Sequence, residues 1–274
     1  MAVLTFFCPY ESLSISISVM LGAAVKRLAI ALLAVTGLSI CLSQIASAAD
    51  LPVKAPVVAP AYNWNGFYVG GHAGWGWGHD ANEGFLRDAQ GPFPAGDPQP
   101  SFPFDLSGVM GGGQIGFNYT AWPHIVLGIE ADLSAANIIN TISKPSQFGI
   151  AVQDTTVDWL GTVRGRIGYA FNEWLVYGTG GVAWVHGNIV NTQTASFTQF
   201  SGPVGQSETW STTRTGWTAG GGVEYGIARN WTAKLEYLYM DFGNTNHTWT
   251  NFNRVTVDHL TMNVVRLGLN YKFN

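Results

Sequence analysis

The chain has 274 residues, of which 11% are charged, 13% are aromatic and 34 are glycine. The charged fraction is less than half of the roughly 25% that is usual for soluble domains. Few charges with many glycines and aromatics argue against a helical bundle and against a disordered chain. The net charge of −4 comes with singly scattered basic residues, so we expect no nucleic-acid partner. This composition suits a sheet protein whose outer surface faces lipid.

The start of the chain has the layout of a secretory signal. Lys26 and Arg27 precede the apolar run LAIALLAVTGLSICL, and Ala46-Ser47-Ala48 follows as a cleavage site. We therefore expect residues 1–48 to be a signal peptide, with the true start either at Met1, giving a long signal, or at Met20. Both cysteines of the sequence lie before this site, so the mature chain is expected to have none.

A proline-rich segment follows the predicted cleavage site. In residues 49–64, Pro52, Pro56 and Pro60 recur every four residues, a spacing that favours extended chain over a packed element. We interpret the segment as a periplasmic tail that acts as a spacer. A contact with peptidoglycan or another partner is the alternative.

The end of the chain reads LTMNVVRLGLNYKF, in which apolar and polar residues alternate. Successive side chains of a strand point to opposite faces, so one face is apolar and the other is small or polar. The pattern resembles the signal by which the barrel-assembly machinery recognises outer-membrane barrels, although Asn274 follows the last aromatic residue. The residues assigned to this C-terminal assembly signal are Val265, Leu267, Leu269, Tyr271 and Phe273.

The same alternation recurs in seven earlier segments. The eight predicted strands are 66–77, 108–119, 125–135, 157–171, 174–187, 216–227, 231–242 and 260–273. The connections alternate strictly between long and short, as in outer-membrane barrels with long extracellular loops and short periplasmic turns. Residues 65–274 are therefore predicted to form an all-β, eight-stranded antiparallel up-and-down transmembrane β-barrel. The fifth strand is apolar on both faces, so its register stays undetermined.

The predicted register places charged residues inside the barrel. An eight-stranded barrel is so narrow that side chains fill its interior, and charges there need partners. Four acids balance four bases, which favours an ion-pair network that closes the lumen. A gated or leaky small channel is the alternative. The predicted lumen residues are Glu130, Asp132, Arg164, Arg166, Glu224, Lys234, Glu236 and Arg266.

No catalytic constellation is evident in the sequence. His79 lies beside Asp80 and His259 beside Asp258, but adjacent strand residues face opposite ways and no serine is singled out as a nucleophile. The histidines expected at the outer rim are candidates for binding haem iron or a divalent metal, although no ligand spacing supports this. These candidates are His79, His186, His247 and His259. We expect no metal, no cofactor and no enzymatic activity.

Several segments together resemble a major outer-membrane protein family of rhizobia and Brucella. They are the mature start from residue 49 to 77, VRGRIGYAF, WLVYGTGGVAW, GGGVEYGI and VVRLGLNYKF, in this order along the chain. The resemblance implies an OmpA-like, porin-like barrel in the Gram-negative outer membrane. It also implies an abundant surface antigen with a role in envelope integrity and, for some members, haemin binding.

These observations predict an integral outer-membrane surface protein with a structural role and interactions made by its loops. The alternatives are a small-solute channel, a haemin-binding receptor and, as a weaker hypothesis, a barrel enzyme that modifies lipid A. The expected partners are outer-membrane lipid and lipopolysaccharide, the barrel-assembly machinery, and peptidoglycan or host surfaces.

Overall fold

The computed structural model describes residues 62–88, 94–96, 98–99, 103–146, 149–197 and 203–273. The predicted signal peptide and most of the predicted proline-rich tail lie outside the described residues. Within these ranges, no helix is long and apolar enough to cross a membrane.

The described residues form nine strands, and the eight long ones close into an antiparallel ring. The strands are β1 (Gly66–Leu86), β2 (Pro98–Gln99), β3 (Phe104–Trp122), β4 (Ile125–Ser146), β5 (Gly149–Phe171), β6 (Trp174–Ser196), β7 (Ser207–Ala228), β8 (Trp231–Trp249) and β9 (Arg254–Lys272). The two-residue β2 pairs only with β1, and the other strands each pair with their neighbours in the chain. Pairing of β1 with β9 closes the ring, which confirms the predicted eight-stranded up-and-down barrel.

Three tight turns mark the periplasmic end of the barrel, at residues 123–124, 172–173 and 229–230. His124 and Asn172 have positive φ angles of 72° and 52°, a conformation that Asn and His adopt more readily than most residues. The turns begin and end at the residues predicted from the sequence, or within a few residues of them.

The strands continue outward well beyond the predicted boundaries. β4 and β5 run to Ser146 and from Gly149, although residues 136–156 were predicted to be a long connection. These outer halves lie beyond the apolar belt, and their outward residues are mostly polar. They therefore lack the alternation of apolar and polar residues from which the strands were predicted. Much of each predicted outer loop is therefore strand that stands above the membrane.

The outward face carries an apolar belt between aromatic residues. Leu267 and Ile129 are each 66% exposed near the middle of this belt, a degree of exposure that a lipid environment favours. On β1 the belt ends at Trp77, and the next outward residue is the polar His79. We therefore take the membrane-spanning part of β1 to end at Trp77. Exposed aromatics at the outer limit include Trp75, Trp77 and Trp217, and those at the periplasmic limit include Tyr119, Trp122, Phe171, Trp174, Trp231 and Tyr271.

Candidate functional site: the interior of the barrel

Strand register brings acids and bases side by side inside the barrel. Glu130 of β4 lies opposite Arg164 of β5, Glu224 of β7 opposite Lys234 of β8, and Glu236 of β8 opposite Arg266 of β9. Directly opposed residues of antiparallel strands share a face and lie within side-chain reach. All eight residues predicted for the lumen are buried in the structure.

The eight side chains form one connected set of ion pairs, which we call the lumen network. Glu130 is its centre. Arg164 Nη2 lies 2.5 Å from one of its carboxylate oxygens, and Lys234 Nζ lies 2.8 Å from each of the two. Arg266 lies 2.9 Å from Asp132 and 2.7 Å from Glu236. The remaining pair joins Arg166 and Glu224 at 2.7 Å. Each acid thus has at least one base within hydrogen-bonding distance.

The network crosses the barrel instead of following its wall. In the ring of eight strands, β4 and β8 stand on opposite sides, and the contact between Glu130 and Lys234 spans this diameter. Arg164 of β5 reaches Glu236 of β8 at 3.0 Å. These side chains therefore occupy the axis of the barrel and link walls that share no backbone hydrogen bonds.

Neutral side chains that the sequence pattern did not indicate complete the network. Tyr68 donates to Glu130 at 2.7 Å and Tyr177 donates to Glu236 at 2.9 Å. Thr232 donates to Glu224 at 2.5 Å, and His72 bonds Ser134 at 2.6 Å in the same interior. Tyr68 and His72 are spaced by an even number of residues from the inward glycines of β1. Once β1 is recognised as a barrel strand, this spacing predicts that both side chains point inward.

Inward glycines make room for the large charged residues. A Cβ added to Gly128 would meet Cγ of Arg166 at 2.9 Å, and one added to Gly74 would meet Cβ of Arg266 at 2.8 Å. Real Cβ atoms do not approach other atoms so closely, and the added atoms would also meet Asn118 Oδ1 and the carbonyl oxygen of Val265, so a larger residue would displace the arginines and these neighbours. The glycines opposite the bases are thus part of the site.

An apolar layer lies on the outer side of the lumen network. From Arg266 toward the outer end of β9, the next inward residues are Val264, Met262 and Leu260, all 6% exposed or less. Side chains from the other strands complete this layer, which we call the apolar seal. Its buried members are Phe104, Leu106, Met110, Ile138, Val157, Leu160, Ala183, Val185, Leu238, Met240, Phe242, Leu260, Met262 and Val264.

A second polar group lies beyond the apolar seal, outside the membrane belt. We call it the outer polar cluster; it contains Asp80, Asn82, Lys144, Gln153, Arg214, Thr256 and Asp258. Lys144 donates to Gln153 at 2.6 Å, and Arg214 lies 3.7 Å from Asp80 and 4.0 Å from Asp258. Burial, together with the nearby charge of Asp258, raises the pKa of Asp80 to about 7. Burial and the charge of Arg254 lower the pKa of Lys144 to about 8.

The four candidate histidines do not converge on a common site. They lie at or beyond the outer rim, on β1, β6, β8 and β9. Their partners are Asp105 for His79, Trp159 for His186, Trp210 for His247 and Asn244 for His259. In the part of the chain that the structure describes, no group of three or more His, Cys, Asp or Glu is placed to hold a metal ion. The four histidines therefore do not form a shared set of metal ligands among the described residues.

The residues of the predicted assembly signal all lie on the outward face of β9. Leu267 is 66% exposed and Phe273 is 51% exposed, and Val265, Leu269 and Tyr271 are exposed as well. The backbone N–H of Phe273 donates to the carbonyl of Phe67 at 2.8 Å, which joins the end of β9 to the start of β1. The end of the last strand therefore completes the ring.

Comparison with known proteins agrees with this architecture. Residues 31–273 match the model of the family described as outer membrane protein beta-barrel domain. The chain is 35% identical to the 31 kDa outer-membrane immunogenic protein of Brucella melitensis, over 83% of this chain and 93% of that protein. It is 30% identical to the 22 kDa outer membrane protein of Rhizobium leguminosarum, over 82% and 83%.

Among solved structures, OprG from Pseudomonas aeruginosa aligns with 78% of this chain and 98% of that chain, at 13% identity and a TM-score of 0.42. The family match and the relatives confirm the resemblance to the outer-membrane proteins of rhizobia and Brucella. The chain belongs to the outer membrane protein beta-barrel domain family and is a protein of the Gram-negative outer membrane.

Proposed function

We propose that this protein is a closed outer-membrane barrel with a structural, envelope-supporting role, and that it neither conducts solutes nor catalyses a reaction. The observation that carries this proposal is the pair of stacked layers in the barrel interior. The lumen network reaches across the diameter between Glu130 and Lys234, and the apolar seal lies directly outside it. An ion would have to displace the first layer and lose its hydration in the second.

The charge balance supports closure over charge-selective conduction. A cation- or anion-selective pore needs a ring with an excess of one charge. Here the four acids and four bases cancel, and each acid lies within 3.0 Å of a base. A network of this kind holds the opposing walls together and has no net charge of its own; Lys272, a further buried base, lies near the periplasmic end of β9 over the ring of Tyr62.

The surface role is supported by the outer halves of the strands. They extend the barrel above the membrane belt, so that rows of polar residues on β6 and β7 stand outside the cell. The relatives in Brucella are named as immunogenic proteins, which agrees with exposure at the surface. We propose that surface interactions are made by this outer part, while the membrane part supplies stability.

Single-channel recording in planar bilayers tests the proposal. The wild-type barrel should give no steps above the baseline at any holding potential. A deletion strain should in turn become more sensitive to detergent, and the wild-type gene should restore resistance. Large, stable conductance from the wild type would instead establish the small-solute channel, and unchanged detergent resistance would remove the structural role.

A further inference from the structure

The wall of the barrel is split between β7 and β8 above the membrane belt. Pairing of the two strands runs from Ala228 and Trp231 outward to Trp217 and Asp241, and then stops. Both strands nevertheless continue, β7 to Ser207 and β8 to Trp249. Residues 207–216 of β7 and 242–249 of β8 therefore face each other without a backbone ladder, and we call this gap the seam.

A bulge in β8 accounts for the split. The register between β8 and β9 shifts between Asp241 and Asn244, and Gly243 has a φ of +61°. The N–H of Gly243 donates to the side chain of Asp241 at 2.8 Å, which fixes the bulge. A bulge bends its strand and increases the local twist, and this one lies where the pairing of β8 with β7 ends.

Side chains close the seam in place of the ladder. The ring of Trp210 stacks on His247 with 4.2 Å between ring centroids. The carboxylate of Glu208 accepts hydrogen bonds from the backbone N–H groups of Thr250 and Asn251, at 3.1 and 2.9 Å. These contacts are fewer than the regular bonds of a ladder, and they depend on rotatable side chains.

Arg214 extends from the seam into the outer polar cluster. It is 6% exposed, and its guanidinium lies 3.7 Å from Asp80 of β1 and 4.0 Å from Asp258 of β9. Both distances exceed a hydrogen bond, and its Nη1 atom has no hydrogen-bond partner. Charge attraction thus draws the free edge of β7 toward β1 and β9 without fixing it in one geometry.

We propose that residues 207–216 form a side gate that opens at the seam and exposes the outer polar cluster to the cell exterior. Opening separates Trp210 from His247 and Glu208 from the β8–β9 turn, while the β6–β7 ladder stays intact. The lumen network lies below the split and stays closed, as does the apolar seal, of whose members Phe242 alone falls within the seam. The gate therefore gives access to a polar chamber, and not to a path across the membrane.

Lysine labelling with hydrogen exchange tests the gate in the full chain refolded into lipid vesicles. The probe is a membrane-impermeant, amine-acylating reagent, and the reporter is Lys144, which is 4% exposed in the closed structure. Arg214→Met removes the charge that holds the edge of β7. We expect the acylation of Lys144 and the exchange of the Thr250 and Asn251 amides, which donate to Glu208 in the closed structure, to rise about tenfold, as local opening becomes more frequent. Arg87→Met is the control, because the side chain of Arg87 is exposed and, among the contacts described, bonds only its neighbour Asp88.

A second variant keeps the proposal testable if Arg214→Met does not fold. Glu208→Ala lies outside the chamber and removes the bonds to the β8–β9 turn, so it should raise the same two rates. Lys234 should stay unlabelled throughout, because it lies in the lumen network below the seal. Unchanged Lys144 labelling in both variants would overturn the gate, as would a rise that includes Lys234 and the amides of 217–228.

Discussion

Replacing Arg164 by Met removes one of the two bases that have three acidic partners each in the lumen network, the other being Arg266. The guanidinium of Arg164 lies 2.5 Å from Glu130, 3.0 Å from Asp132 and 3.0 Å from Glu236. The substitution keeps most of the side-chain volume but leaves four acids against three bases. The side chains concerned are 1–3% exposed, so bulk water does not screen the unbalanced charge.

The expected loss of stability follows from the loss of a buried partner. Removing one member of a buried ion pair costs about 3–5 kcal/mol, because the other charge stays buried without compensation. With a urea dependence of about 3 kcal/mol per M, this loss lowers the unfolding midpoint by about 1–2 M. Adding Glu236→Gln to Arg164→Met restores the charge balance, so the double variant should be more stable than the single one.

Urea unfolding of the barrel in detergent, followed by the gel mobility of folded and unfolded chains, measures these midpoints. Arg229→Met is the matched control, since Arg229 is exposed in a periplasmic turn. Equal midpoints for Arg164→Met and Arg229→Met would show that the loss of a buried base from the network does not destabilise the barrel. A double variant no more stable than the single one would refute the role of balance specifically.

Three further outcomes follow from the structure. Gly128→Ala should lower the urea midpoint by the equivalent of about 1–3 kcal/mol through overpacking against Asn118 and Arg166. Gly165→Ala should not, because the nearest atom is 4.0 Å from its added Cβ. Burial raises the pKa of Asp80 from 3.8 to about 7 in the folded barrel, so the protonated carboxyl group stabilises the outer end. This contribution is fully present below pH 3.8 and is lost as the pH rises through about 7. Exchange of amides 80–86, corrected for intrinsic rates, should therefore be faster at pH 7.5 than at pH 5.5, and Asp80→Asn should abolish the difference. Phe273→Ala should reduce the membrane level of folded barrel more than Phe67→Ala, an exposed aromatic at the same rim, and equal losses would count against the assembly signal.

The membrane part of the fold was predictable because each strand there faces two different environments. Lipid outside and polar side chains inside impose an alternation of period two, which placed Glu130, Arg164 and Arg266 on one face. The structure places these residues on the inward face, in one contiguous group. Their exact partners were not predictable, because contacts across the barrel depend on side-chain lengths and not on strand register.

The parts that the sequence did not reveal lie where the alternation is weak. Tyr177 sits in a strand that is apolar on both faces, so its inward direction was undetermined until the register with Glu224 and its neighbours was known. Asp80, Arg214 and Asp258 fall in stretches read as loops, because the strands there have polar residues on both sides. The seam depends on the backbone of Gly243, and a single glycine gives no such signal.

Osmotic water permeability of vesicles that contain the refolded barrel tests the closed interior most directly, because water is smaller than any solute that the barrel could conduct. The vesicles are shrunk in a stopped-flow instrument and their light scattering is recorded, with protein-free vesicles of the same lipid as the reference. If the lumen network and the apolar seal close the barrel, the two shrinkage rates will be equal. Faster shrinkage with the wild-type barrel would contradict the closed interior on which this account depends.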